Sequence, residues 1–429
     1  MLIPIIKATP DSPEVLRICS RSAAQNGEIE KVVREILLGV KEVGIQAAVL
    51  YAIKYDGLKK NNLRVSEAEI KRAAAKIDSG LKLALKQAIE NVKVFHKKQT
   101  EKSWAIWGKD GEILGQKIRP LKRVGLYVPG GAGVYPSTLI MNAVPALVAG
   151  VKELVVVSPI KNGLHSSVAF VLLELGIKEV YHIGGAQAIG LLAYGAKGIA
   201  PVDKIVGPGN VFAAFAKKEV FGTVDIDMIA GPSEIAVLAD GAANPEWVAA
   251  DMLSQAEHGS GFEASVCVTD SSVFAKKLAN CIEEQVKTSP KREILERSLG
   301  TYGRIFIAEN MDVAVKIVNR LAPEHLEIVA EKQGKLEELV ENAGAIFVGA
   351  YSSEPVGDYF AGPNHVLPTN GTARFASPLG VYDFLKRTSI IRYSEKALQE
   401  NAENIAEIAS SEGFYHHARA VTVRRAIKK

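Results

Sequence analysis

The chain has 429 residues, 48% hydrophobic and 23% charged, which describes a globular protein too long for one ordinary core, so two or more domains are expected. Its 52 Lys and Arg against 48 Asp and Glu leave a net +4, too balanced to argue for a nucleic-acid surface, and the basic end at 424–429 reads as a solvated tail. No apolar run approaches the roughly 20 residues that span a bilayer and no cleavable leader is legible, so no membrane and a cytoplasmic address are expected; Cys19, Cys267 and Cys281 are too scattered to indicate a disulfide framework or a thiolate zinc site.

The first hundred residues are charge-rich and helical in pattern. From there, short β-branched runs at 124–128, 153–157, 179–183, 204–206 and 223–226 alternate with helical patterns at 136–149, 164–175, 186–194 and 211–221. Such βαβ alternation implies a parallel sheet covered on both faces. A second set of strands follows at 235–238, 264–268, 304–307, 326–329 and 345–348, again separated by helices. After Tyr382 the chain reads as an appended helical arm. The expected architecture is α/β: two doubly wound, incomplete Rossmann-like parallel-sheet units, with an N-terminal helical segment and a C-terminal helical arm. The expected domains are an arm at 1–25, a first α/β domain formed by 26–123 with 234–381, an inserted α/β domain at 124–233, and the arm at 382–429.

In the first unit the strands end in glycine or proline: PGGAG at 129–133, GGAQA at 184–188 and GPGN at 207–210. Glycine lets backbone approach a phosphate, and the helix beyond it offers free N–H donors. The GxGxxG fingerprint is absent in its usual form, and tight βα turns explain these loops about as well.

In the second unit, NPEWVAADMLSQAEHG at 244–259 predicts a sharply bounded helix, with Asn244 as N-cap, Pro245 at the first position and Gly259 as terminator. Gln255 and His258, three apart, would share one face of its last turn, as metal ligands or as plain polar surface. The eight histidines include His365 in GDYFAGPNHVLPT, downstream of Asp358, and His417 in EGFYHHARAV, after Glu412. LAPEHLEI at 321–328 sets Glu324 beside His325 after Pro323. The pair reads as an acid/base couple in a polar cavity or as the exposed start of a strand.

The strings GLYVPGGAGVYPS, GPGN, AGPSE, SQAEHG, LAPEHLE, GDYFAGPNHVLPT and EGFYHHARAVTVR together resemble the histidinol dehydrogenase family, nearly end to end. That resemblance implies a zinc enzyme that oxidises L-histidinol to L-histidine through L-histidinaldehyde with two NAD, at the end of histidine biosynthesis. It implies one zinc per subunit, held by Gln255, His258, Asp358 and His417, and NAD contacts from Tyr127, Gln187 and Asn210 in the inserted domain. Substrate contacts would be Ser233, Gln255, His258, His325, Asp358, His365, Glu412 and His417, with Glu324 and His325 catalytic. It also implies a homodimer whose C-terminal arms are exchanged, so that Glu412 and His417 complete the partner's site.

The chemistry suits the residues. A neutral His325 can take the hydroxyl proton as hydride leaves, and Glu324 can activate the water that hydrates the aldehyde. No cysteine lies in a matched string, which favours a hydrated aldehyde over a thiohemiacetal. Three other readings compete: a paralogue oxidising a different primary alcohol, a zinc hydrolase, and a catalytically silent scaffold. The hydrolase leaves the glycine loops unexplained.

Overall fold

The computed structural model describes residues 2–21, 27–59, 61–130 and 133–425. Part of the PGGAG loop and the last four residues of the basic tail therefore lie outside the described residues.

Two parallel sheets organise the chain. The strands Arg123–Tyr127, Glu153–Ser158, Glu179–His182, Lys204–Val206 and Asp225–Ile226 form a five-stranded sheet with the first of them central, between the second and the fourth. In a six-stranded sheet Glu234–Ala239 is flanked by Ala264–Thr269 and His325–Val329, with Arg304–Ile307 and Ala345–Val348 beyond. Arg123–Tyr127, Glu234–Ala239 and Ala264–Thr269 are buried throughout, which is why they read as continuous apolar runs and not as alternation. Both sheets repeat one order, in which the first strand sits beside the fourth and the chain reverses direction across the sheet. The doubly wound architecture is as the sequence led us to expect.

Helices cover both faces. Pro136–Ala149 starts at a proline, stops at Gly150 with φ +96, and is buried along most of its length, so it behaves as core. Gly27–Val43 packs against helices Gly185–Tyr194 and Val211–Val220 of the five-stranded unit, where a Cβ on Gly190 would come within 3.1 Å of Leu37. That close approach favours glycine, since a Cβ there would crowd the Leu37 and Val40 side chains.

Three features differ from the expectations. Strand Ile5–Lys7 in the N-terminal arm pairs in parallel with Arg304–Ile307 and edges the six-stranded sheet. The helices within 26–123, grouped by sequence with 234–381, pack their apolar faces on the helices of the five-stranded unit: Val33, Ile36, Leu37 and Ala48 share a core with Val155 and Ile189. The C-terminal arm is not all helical. Leu385–Arg392 pairs antiparallel with Ile113–Pro120, which also pairs with Trp104–Trp107, and only then come helices Glu395–Ser411 and Tyr415–Thr422. These are edge or exposed strands: polar and charged positions mask the period-2 signal in Ile113–Pro120 and Leu385–Arg392, while Ile5–Lys7 and Trp104–Trp107, at three and four residues, are too short to show one.

Candidate active site

The site sits at the amino edge of the six-stranded sheet. Helix Met311–Leu321 ends at Ala322, which takes a left-handed φ of 46, and the chain passes Pro323 into Glu324 and His325. His325 opens its strand opposite Ile235. Both members of the pair are buried, so the exposed-strand alternative falls away.

One residue of the neighbouring strand holds both. The Glu234 N–H donates to Glu324 Oε2 at 2.9 Å, and the Glu234 carbonyl lies 2.9 Å from His325 Nδ1. Since a carbonyl only accepts, Nδ1 carries the hydrogen, and Nε2 is the nitrogen turned toward the site. Nε2 stands 3.4 Å from Asp358 Oδ1, an ion-pair distance without the alignment of a hydrogen bond, and it is otherwise unpartnered. His365 Nδ1 approaches the other Asp358 oxygen at 3.7 Å, and its Nε2 is also buried and unpartnered. Glu354, one helical turn before Asp358, accepts from the Ser254 hydroxyl at 3.1 Å. His325, Glu354 and Asp358 converge so that one ligand atom from each lies within 4.8 Å of the others.

The electrostatics follow from that crowding. Burial disfavours charge on His325, but the Glu324 charge, then the adjoining Asp358 carboxylate, outweigh it and push the imidazole up to about 10. Burial pushes Glu324 up to about 8, opposed by His325. It also pushes Glu354 up to about 8, helped by Asp358. Partial burial of Asp358, whose side chain is 16% exposed, opposes its charge, yet the His325 and His365 imidazoles beside it hold its carboxyl well below the usual range. Behind them Glu327, pushed up to about 9 by burial and by Asp251, accepts from the Glu354 N–H at 2.7 Å.

Gln255 lies in the last turn of helix Pro245–Ala256, buried, with its Oε1 unpartnered. The helix stops at Ala256, three residues before Gly259, so His258 sits beyond it, exposed, with Nδ1 3.1 Å from the Gln255 carbonyl. His258, Ser254, Glu354 and Asp358 line a cleft of about 700 Å³ together with residues 133–137 from the five-stranded unit. Asp358 and His365 also line another cavity, of about 480 Å³. Ser233 precedes strand Glu234–Ala239 and is half-buried. Glu412 and His417 are not brought in: both are exposed on the C-terminal arm, and the His417 ring packs on Phe414 at 5.0 Å.

The glycine loops are at the carboxyl edge of the five-stranded sheet, where its strand order reverses. The Tyr127 hydroxyl accepts from the Gly185 N–H at 3.0 Å, and burial pushes the phenol up to about 12. Gln187 donates to Asp56 at 2.9 Å, and the same carboxylate accepts from the Gly184 N–H at 3.0 Å. Asn210 is exposed and caps helix Val211–Val220 through the Ala213 N–H at 3.1 Å. These three residues thus frame one edge, two from below and one at the surface.

Sequence reading missed Glu354, Glu234 and Asp56. Glu354 carried a signal, since it precedes Asp358 by four residues after a helix-starting Ser353-Glu354-Pro355. Glu234 and Asp56 act on residues more than fifty positions away, which no local pattern encodes.

A family model described as histidinol dehydrogenase matches residues 19–425. Histidinol dehydrogenase of Bacillus subtilis is 52% identical over 399 residues, covering 92% of this chain and 93% of that protein. Its counterpart in Carboxydothermus hydrogenoformans is 46% identical and covers 98% and 99%. The crystal structure of histidinol dehydrogenase from Elizabethkingia anophelis superposes with a TM-score of 0.92 at 32% identity, covering 99% and 98% of the two chains.

Proposed function

The chain belongs to the histidinol dehydrogenase family, and we propose that this oxidoreductase converts L-histidinol to L-histidine through L-histidinaldehyde, using two NAD and one zinc ion per subunit. Membership displaces the hydrolase and scaffold readings. The observation that carries the proposal is the buried His325 imidazole, with Nδ1 committed to a carbonyl and Nε2 unpartnered beside Asp358.

In this reading Nε2 takes the hydroxyl proton while hydride leaves for NAD. Glu324, raised by burial, activates the water that hydrates the aldehyde, and His325 takes the proton of the second oxidation. The metal would be held by Gln255, His258 and Asp358, with His417 supplied by a second copy of the chain. The donors suit zinc: they are nitrogen and oxygen without sulfur, and the buried Gln255 Oε1 lacks a partner. Bound there, the ion supplies a fixed charge that orients the substrate through its imidazole and amino nitrogens. Asp358 is one of the groups that raise His325, so committing its charge to a cation favours the neutral imidazole that a base requires.

Substrate contacts are assigned to Ser233, Gln255, His258, His325, Asp358 and His365, with Glu412 and His417 from the second copy. Cofactor contacts are assigned to Tyr127, Gln187 and Asn210 at the reversal of the strand order. No helix among the described residues is long and apolar enough to cross a membrane, and a cytoplasmic homodimer is the setting we assign. The test is the metal content and NADH yield of the purified protein beside Gln255→Ala and Asp358→Ala. Zinc lost together with turnover supports the assignment; full zinc and full turnover in both variants would end it.

A further inference from the structure

Arg21 lies far in sequence from every residue assigned a role above, yet its side chain is 1% exposed. Its guanidinium NH2 group pairs with Glu234 Oε1 at 2.8 Å and reaches Asn370 Oδ1 at 3.5 Å. Glu234 Oε1 also accepts from the Asn370 N–H, and the guanidinium carbon lies 5.6 Å from the centroid of the Tyr302 ring. Arg21 therefore joins the N-terminal arm, the start of strand Glu234–Ala239 and the turn at residue 370.

The main chain of Glu234 makes this more than a structural tie. Its N–H holds the Glu324 carboxylate and its carbonyl fixes His325 Nδ1, so the tautomer and tilt of the imidazole and the aim of the carboxylate depend on one peptide segment. Residues 231–233 before it lie outside the strand, and the Gly231 N–H is tethered separately to Thr369 Oγ1 at 2.7 Å. Anchoring the Glu234 side chain resists rotation of its backbone about the strand axis, and such rotation would carry both hydrogen bonds away together.

We propose that Arg21 is a positioning residue for the oxidation: through its buried ion pair with Glu234 it sets the backbone that holds Glu324 and His325. The inference rests on the roles assigned above to that pair. Arg21 touches neither substrate nor cofactor. A displacement of about 1 Å at a reacting group costs on the order of 10²-fold in rate, so its loss falls on kcat.

The test compares the unmodified protein with Arg21→Met, which keeps the aliphatic stem, and Glu234→Gln, which keeps the shape. Each is assayed with L-histidinol and NAD for kcat and KM and checked for zinc content. We expect kcat to fall at least tenfold in Arg21→Met, with KM for L-histidinol and zinc content changed less than threefold. Guanidinium ion added to Arg21→Ala should recover part of kcat, an effect that a general loss of stability would not show. If Arg21→Met does not fold, Glu234→Gln decides by the same kcat criterion. Unchanged kcat in a folded variant, or a loss confined to KM or to zinc, would overturn the proposal while leaving the family reaction standing. Unmodified protein that yields no NADH from L-histidinol would instead sink the reading beneath it.

Discussion

Replacing Lys217 by Met should loosen the edge assigned above to the cofactor while leaving the rest of the protein intact. Lys217 is 2% exposed on helix Val211–Val220, and its Nζ donates to the Gly207 carbonyl at 3.1 Å while pairing with Asp227. The Asp227 carboxylate in turn accepts from the Gly207 N–H at 2.7 Å and the Met228 N–H at 2.6 Å. Gly207 is thus held at both ends of its peptide, with φ +113, and a Cβ there would come within 2.2 Å of the Tyr127 carbonyl. Methionine keeps the length and the apolar stem, so packing changes little. It leaves Asp227, only 1% exposed, with two N–H donors and no counter-charge. Stranding one partner of a buried pair costs about 3–5 kcal/mol. That loss should appear in native-state amide exchange as a drop of this size in the opening free energy of residues 204–227, with a raised KM for NAD. The double variant Lys217→Met with Asp227→Asn removes the buried charge and should recover part of the loss. A single variant within about 1 kcal/mol of the parent, or a double variant worse than the single, would refute the reasoning.

Removing all three thiols, as Cys19→Ser, Cys267→Ala and Cys281→Ser, should preserve both oxidations, because Cys267 is fully buried in its strand and burial pushes its thiol far up; loss of only the second oxidation would restore a covalent route. Glu354→Gln, next to Asp358, should weaken zinc binding by roughly 10- to 100-fold, measured by competition with a chelator, and unchanged affinity would remove Glu354 from the site. Inactive His325→Ala and inactive His417→Ala, unfolded together and reassembled, should regain about a quarter of full activity if the arms are exchanged, since half the dimers are mixed and each has one intact site; no regain would place His417 in its own subunit's site.

The strands and helices of both parallel sheets were legible because they are buried on two faces and bounded by glycine and proline, as in Pro136–Ala149 and its Gly150 cap. The antiparallel strands were not. Leu385–Arg392 carries Lys386, Arg387 and Arg392 beside Ile390 and Ile391 on a largely exposed strand, so neither period stands out. Within the site, Glu324, His325 and Asp358 could be picked out as residues, but their meeting could not. It depends on the strand pairing that places His325 opposite Ile235 and on the turn that brings residue 358 back. The assignment of Glu412 and His417 to a second copy's site rests on resemblance alone, since one copy of the chain leaves them on an exposed arm.

The measurement closest to the central claim is the yield of NADH per L-histidinol by the zinc-loaded protein at completion, alongside His325→Ala and a chelated sample. Two NADH per L-histidinol, with both controls silent, is the result expected from a base at His325 working beside a bound metal. One NADH would mean an enzyme that stops at the aldehyde, and two NADH from His325→Ala would contradict the assignment of the base.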